Sequence, residues 1–79
     1  MPYIKTDRRG FANQFPQDAG ELNYAITTLL INYWASKGHR YQTINDITGA
    51  CSGALHEFER RVVGKYEDQK IKENGDVYP

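Results

Sequence analysis

Cysteine is nearly missing from this chain: Cys51 is the only one among 79 residues. No internal disulfide is possible, and a single thiol fits a reducing compartment. Histidine is scarce too, with only His39 and His56. Neither forms the close Cys/His pairing of a zinc site with Cys51, so no metal and no cofactor are expected. Charge of one sign is absent, since ten basic residues face ten acidic ones. A general nucleic-acid binder would be basic, so that class is not expected. No run of about 18 apolar residues occurs, which argues against a membrane span. The opening "MPYIKTDRRG" lacks the apolar centre of a signal peptide, and the expected location is the cytoplasm in which the chain is made. A chain this short buries only about 60% of its unfolded surface and is marginal alone. With disulfides and metal set aside, assembly with copies of itself is the remaining support.

What is present is helical periodicity. "MPYI" and "DVY" are β-prone ends, and residues 1–17 form a short N-terminal segment. Asp18, with Glu21 three residues on, is a capping-box start for a helix over 18–37. Leu22, Ile26, Leu29 and Tyr33 then mark one face. Lys37 and Gly38 are end signals. Thr43, with Asp46 three on, predicts a second start and a long helix over 43–73. Along it Ile44, Ile47, Cys51, Leu55, Phe58, Val62 and Tyr66 recur at steps of three and four, an eleven-residue pattern close to that of a straight helix. Asn74-Gly75 ends it, leaving 74–79 as a tail. The expected fold is all-α: a single domain over 1–79, built as a hairpin of two long helices and assembling as a homo-oligomeric bundle.

The stretch "TGACSGA", 48–54, puts small residues in the middle of the second helix. Stepped at about 100° per residue, Gly49, Gly53, His56, Arg60, Val63 and Glu67 fall opposite the apolar stripe. Each glycine weakens a helix interior by about 1 kcal/mol relative to alanine. Two on one face suggest a close neighbour, with a tolerated weak spot on a solvated face as the plainer reading. The first helix is apolar on both sides: Tyr24, Ile31 and Trp34 lie away from the Leu22–Tyr33 face. A lone hairpin would place charge there. Tyr24, Ile31, Trp34, Gly49, Gly53 and Val63 are therefore the expected oligomer interface. The alternative is that the N-terminal segment, with Phe11 and Phe15, covers the first helix and leaves a monomer.

No catalytic residues are assigned. "HEFER", 56–60, starts like a zinc-protease helix but carries Arg60 where the second histidine belongs. Cys51 and His56 lie about 140° apart round the helix, and Cys51 sits on the core stripe as a small hydrophobe. The basic stretch "ERRVVGKYEDQKIK", 59–72, is more informative. Glu57 with Arg61 and Asp68 with Lys72 have the spacing of helix ion pairs. Arg60 is read as free, on the glycine face, where guanidinium suits a phosphate or carboxylate. The expected ligand-binding set is Arg60 as anion clamp, Arg61 or Lys65 in support, and Tyr66 or His56 against a base.

Four blocks carry a resemblance: "MPYI", "GELNYAIT" (20–27), "YQTINDITG" (41–49) and "EFERRVVGKYEDQKIKENGDVY" (57–78). Together they resemble a family of short uncharacterised proteins of bacteriophage and bacterial genomes, a domain of unknown function. Members have larger residues near Cys51 and a proline near Lys65, where this sequence departs. The family carries no activity over. It implies a small protein that acts on host pathways by binding. By analogy with compact phage oligomers, the expected role is anti-defence: a homo-oligomer that sequesters a cyclic or phosphorylated nucleotide signal. The alternatives are inhibition of a host defence protein by direct contact, or a small regulatory or structural phage factor with no small-molecule ligand.

Overall fold

The computed structural model describes residues Met1–Pro79 and is all-α. A 3₁₀ turn, Thr6–Arg8, runs into the short helix α1, Arg9–Ala12. Helix α2 spans Ala19–Lys37, 19 residues. Helix α3 spans Tyr41–Phe58, continues through a π turn at Glu59–Val63, and passes into α4, Gly64–Asn74. The β-prone ends form no strand. Two compact units are distinguished, Met1–Ile47 and Thr48–Pro79, with the division falling inside α3.

In the first unit, α2 begins as its sequence dictates. Asp18 has an extended backbone, and its side chain accepts from the Glu21 N–H at 2.8 Å. The reciprocal half of the capping box is altered. Glu21 accepts from the Gln17 N–H at 3.1 Å, one residue earlier than a capping box would have it. Its two oxygens also take Arg8 Nε at 2.9 Å and Arg8 Nη2 at 3.1 Å. Glu21 is 5% exposed, so this fork is what lets a carboxylate sit under the N-terminal segment. Arg9 Nε donates to the Ile4 carbonyl at 3.2 Å, and its guanidinium lies 5.6 Å from the Tyr24 ring. Ala12 is the one buried apolar residue. Gly20 marks the closest approach: a Cβ there would sit 3.3 Å from Ile4 Cγ2 and 3.5 Å from the Met1 carbonyl. The N-terminal segment thus folds onto the start of α2 in the same chain.

Helix α2 ends at Gly38, whose φ of 90° is open to glycine and whose N–H donates to Trp34 O at 3.1 Å. Helix α3 opens at Tyr41, two residues before the expected Thr43. Thr43 is a third-position helical residue, 1% exposed, with its hydroxyl unpartnered. Spacing to Asp46 resembled a cap, but the chain had already turned helical, and Asp46 instead accepts from Gln42 at 2.7 Å and from the Tyr33 hydroxyl at 3.4 Å.

The second unit is the rest of α3, the π turn, α4 and the tail. The π turn closes where the Gly64 N–H donates to Glu59 O, five residues back. Gly75, at φ 90°, ends α4, and its N–H donates to Ile71 O at 2.8 Å. The apolar stripe expected to form a hairpin core is not buried. Leu55, Phe58, Val62 and Tyr66 are each more than half exposed, as are Leu22 and Leu29 on α2. The stripe positions, expected to be core, are therefore largely exposed in each unit.

Candidate functional site

The basic segment is assembled by the last turn of α3, the π turn and the first turn of α4. His56 lies in the last turn of α3, Arg60 and Arg61 lie in the π turn, and Lys65 and Tyr66 lie in the first turn of α4. All five are exposed. Arg60 is not free. Its Nη2 lies 2.9 Å from Glu57 Oε1, and Arg61 Nε donates to the same oxygen at 2.8 Å. Glu57 stands three residues before one arginine and four before the other, and both spacings reach on a helix. Such exposed pairs are weak, about 0.3–0.5 kcal/mol each. Two guanidiniums on one carboxylate leave one positive charge in excess, and several N–H donors unused. Lys65 has no carboxylate within 4.0 Å.

Further along, the expected Asp68–Lys72 pair gives way to Lys70–Glu73 at 3.5 Å. Lys70 Nζ also lies 5.6 Å from the Tyr66 ring. The concavity of this unit lies at the C-terminal tail, between Glu67, Lys70 and Ile71 and the returning Val77 and Tyr78. None of the five candidate ligand residues lines it.

The π turn also changes which residues share a face. Residues of a π turn each advance less than the roughly 100° of an α-helix. Positions after Phe58 therefore lag behind a straight count. Val63 turns from the glycine face toward the stripe side, and Arg60 stays nearer His56. No strong sequence signal marks the π turn. Val62-Val63 before Gly64 is a weak one, since β-branched residues crowd an α-helical turn.

The expected interface residues have different surroundings. Tyr24 is half-buried below Arg9. Ile31 is exposed, beside a shallow groove shared with Tyr24, Thr27 and the N-terminal Pro2 and Tyr3. Trp34 is half-buried and stacks on His39, with ring centroids 4.4 Å apart and nearly parallel. Gly49 and Gly53 face open space: an added Cβ would meet nothing within 4 Å. Val63 is exposed. The glycine that is closely approached within the chain is Gly20.

Sequence spacing missed the Arg8–Glu21 pair, because residues 13 apart are linked only by the fold. Hydrogen bonds from Arg8 hold the Glu21 carboxyl below the usual glutamate range. Burial opposes this, and the Gln17 N–H adds to it. The same bond raises Arg8. No group of three or more His, Cys, Asp or Glu side chains is placed to hold a metal ion. No helix is long and apolar enough to cross a membrane.

These features define an all-α protein with outward-facing apolar stripes and a basic segment centred on a π turn. The chain belongs to the family described as a domain of unknown function, DUF6899, whose model matches residues 1–77. No curated protein and no solved structure matches it.

Proposed function

We propose that this chain is a non-catalytic binding protein that works as a homo-oligomer in the cytoplasm. The observation that carries this is the exposure of its apolar stripes. A helical chain with Ala12 as its one buried apolar residue leaves most of its hydrophobic surface to be covered from outside. The basic segment 56–66 is then repeated by symmetry and is the surface offered to a partner.

Two partner classes fit this surface. A protein partner is favoured by the exposure of all five side chains on the helix surface, none of them lining the concavity at the C-terminal tail. In the phage setting that the resemblance suggests, the partner would be a host defence protein. A cyclic or phosphorylated nucleotide is favoured by the charge excess of Arg60 and Arg61 over Glu57, with Lys65 unpaired nearby. In that reading the walls of the site come from a neighbouring copy, and the protein sequesters an immune signal.

Native mass spectrometry of the purified chain tests both. A multiple of the chain mass supports the oligomer, and a strict monomer rules it out. An added few hundred daltons that Arg60→Glu abolishes, with the assembly intact, favours the nucleotide. Bound nucleotide unaffected by that change removes Arg60 from the site.

A further inference from the structure

We infer that the groove between the N-terminal segment and α2 binds a small organic monoanion, a flat apolar group carrying one carboxylate, with Arg9 as its anchor. The site lies wholly within the first unit and uses no residue of the basic segment. It stands or falls separately from the homo-oligomer reading and from the partner proposed for residues 56–66.

The chain has five arginines, and four of them are otherwise engaged. Arg8 is taken up by Glu21, and Arg60 and Arg61 share Glu57. Arg40 is exposed and donates to the Lys37 carbonyl at 3.2 Å. Arg9 is half-buried, and no carboxylate lies within 4.0 Å of it. Its Nε donates to the Ile4 carbonyl at 3.2 Å, and its guanidinium lies 5.6 Å from the Tyr24 ring centroid. That distance is within reach of cation–π attraction. These two contacts hold the guanidinium and leave the donors on Nη1 and Nη2 without a partner in the chain. Such a pair of nitrogens matches the two oxygens of a carboxylate. A guanidinium already held in place loses little freedom on binding.

The groove supplies the rest of the site. Its volume is about 370 Å³. Pro2, Tyr3, Tyr24, Thr27 and Ile31 line it, and Arg9 is the one charged side chain among its walls. The Thr27 hydroxyl is turned to Asn23, donating to Oδ1 at 3.0 Å, so the walls are mainly aromatic and aliphatic. One guanidinium in such surroundings balances one negative charge. A doubly charged phosphate would leave a second charge unpaired against apolar walls. Size narrows the class further. Tyr24 and Ile31 lie about 10 Å apart along α2 at 1.5 Å per residue. A ring with a short acid arm fits that length, and the volume is at the small end of ligand sites, about 300–1,000 Å³. A stable protein interface needs a larger footprint, roughly 800 Å² per partner.

NMR of the isotope-labelled full chain, titrated with 3-phenylpropanoate, tests this. The amide signals of Arg9, Tyr24, Thr27 and Ile31 should shift in a saturable way, together with the Arg9 Nε signal. The neutral 3-phenylpropanamide should bind at least about tenfold more weakly, because the charge-assisted hydrogen bonds are lost. Arg9→Gln should weaken 3-phenylpropanoate by a similar factor. Arg9 also holds the Ile4 carbonyl, so Ile31→Glu serves as the second variant. It changes an exposed position, keeps Arg9, and should abolish binding because its carboxylate competes for the guanidinium. Arg60→Glu should leave the affinity unchanged. No saturable shift at millimolar 3-phenylpropanoate overturns the proposal, as do shifts centred on residues 56–66 or equal binding of the amide. Tighter binding of phenyl phosphate than of the carboxylate overturns the single-charge assignment. Shifts caused by a glutamate-containing peptide and not by the small acid make the occupant a protein segment, and the ligand class is then wrong.

Discussion

Glu21 is a carboxylate placed where little water reaches it, and three donors make that possible: Arg8 Nε, Arg8 Nη2 and the Gln17 N–H. Because its folded pKa is lowered, its contribution to stability is present above the ordinary value of 4.5. It is lost as pH falls through the depressed folded value. Thermal melts of the natural chain should therefore fall off on acidification below that value. Glu21→Gln should lower the melting temperature at neutral pH and flatten the acid dependence. An unchanged acid profile would mean that the Arg8 fork does not hold the segment in solution. Thr43 predicts the opposite sign. Its hydroxyl is buried without a partner. Thr43→Val keeps the shape and should stabilise by about 1 kcal/mol, the low end of what an unmade hydrogen bond costs. A urea melt reads this directly. The Asp18–Glu21 spacing was legible because a cap is local. The Arg8 partner was not, because only the folded path of the chain brings it there.

At the scale of elements, the Asp18 cap and the two glycine stops were legible, while the start of α3 and the π turn were not. Gly38 and Gly75 stop α2 and α4 in a backbone region that side chains avoid. The π turn was hidden, and it shifts which residues share a face from Glu59 onward. That is why Val63 parts from the face of Gly49 and Gly53. Those two glycines meet nothing within 4 Å. Gly49→Ala and Gly53→Ala should each raise stability by up to about 1 kcal/mol through helix propensity alone, measured by thermal melting. A loss instead would show that another backbone approaches that face.

For the whole molecule, exposed apolar surface is what most limits stability. Burying a large apolar side chain is worth about 1.5–3 kcal/mol, and Leu55, Phe58 and Val62 gain little of this within one chain. Melting temperature should therefore rise with protein concentration, since assembly stabilises by mass action. Phe58→Asp should remove that dependence and lower helicity, as followed by circular dichroism over a dilution series. A melting temperature independent of concentration in the natural chain would show that the stripe is not covered by another copy.

Local interactions explain what the sequence determined by itself. Asp18 and the two glycine caps set the helix ends within a few residues, and the three-and-four spacing of Ile44 to Tyr66 set the apolar face. Each depends on groups at most about one turn apart, so each is written in consecutive residues. Tertiary structure alone decided that Arg8 reaches Glu21, that Gly20 rather than Gly49 or Gly53 is closely approached, and that the stripes stay on the surface of the chain. Those outcomes depend on where distant segments come to rest, and on burial summed over the whole chain, which no local spacing encodes.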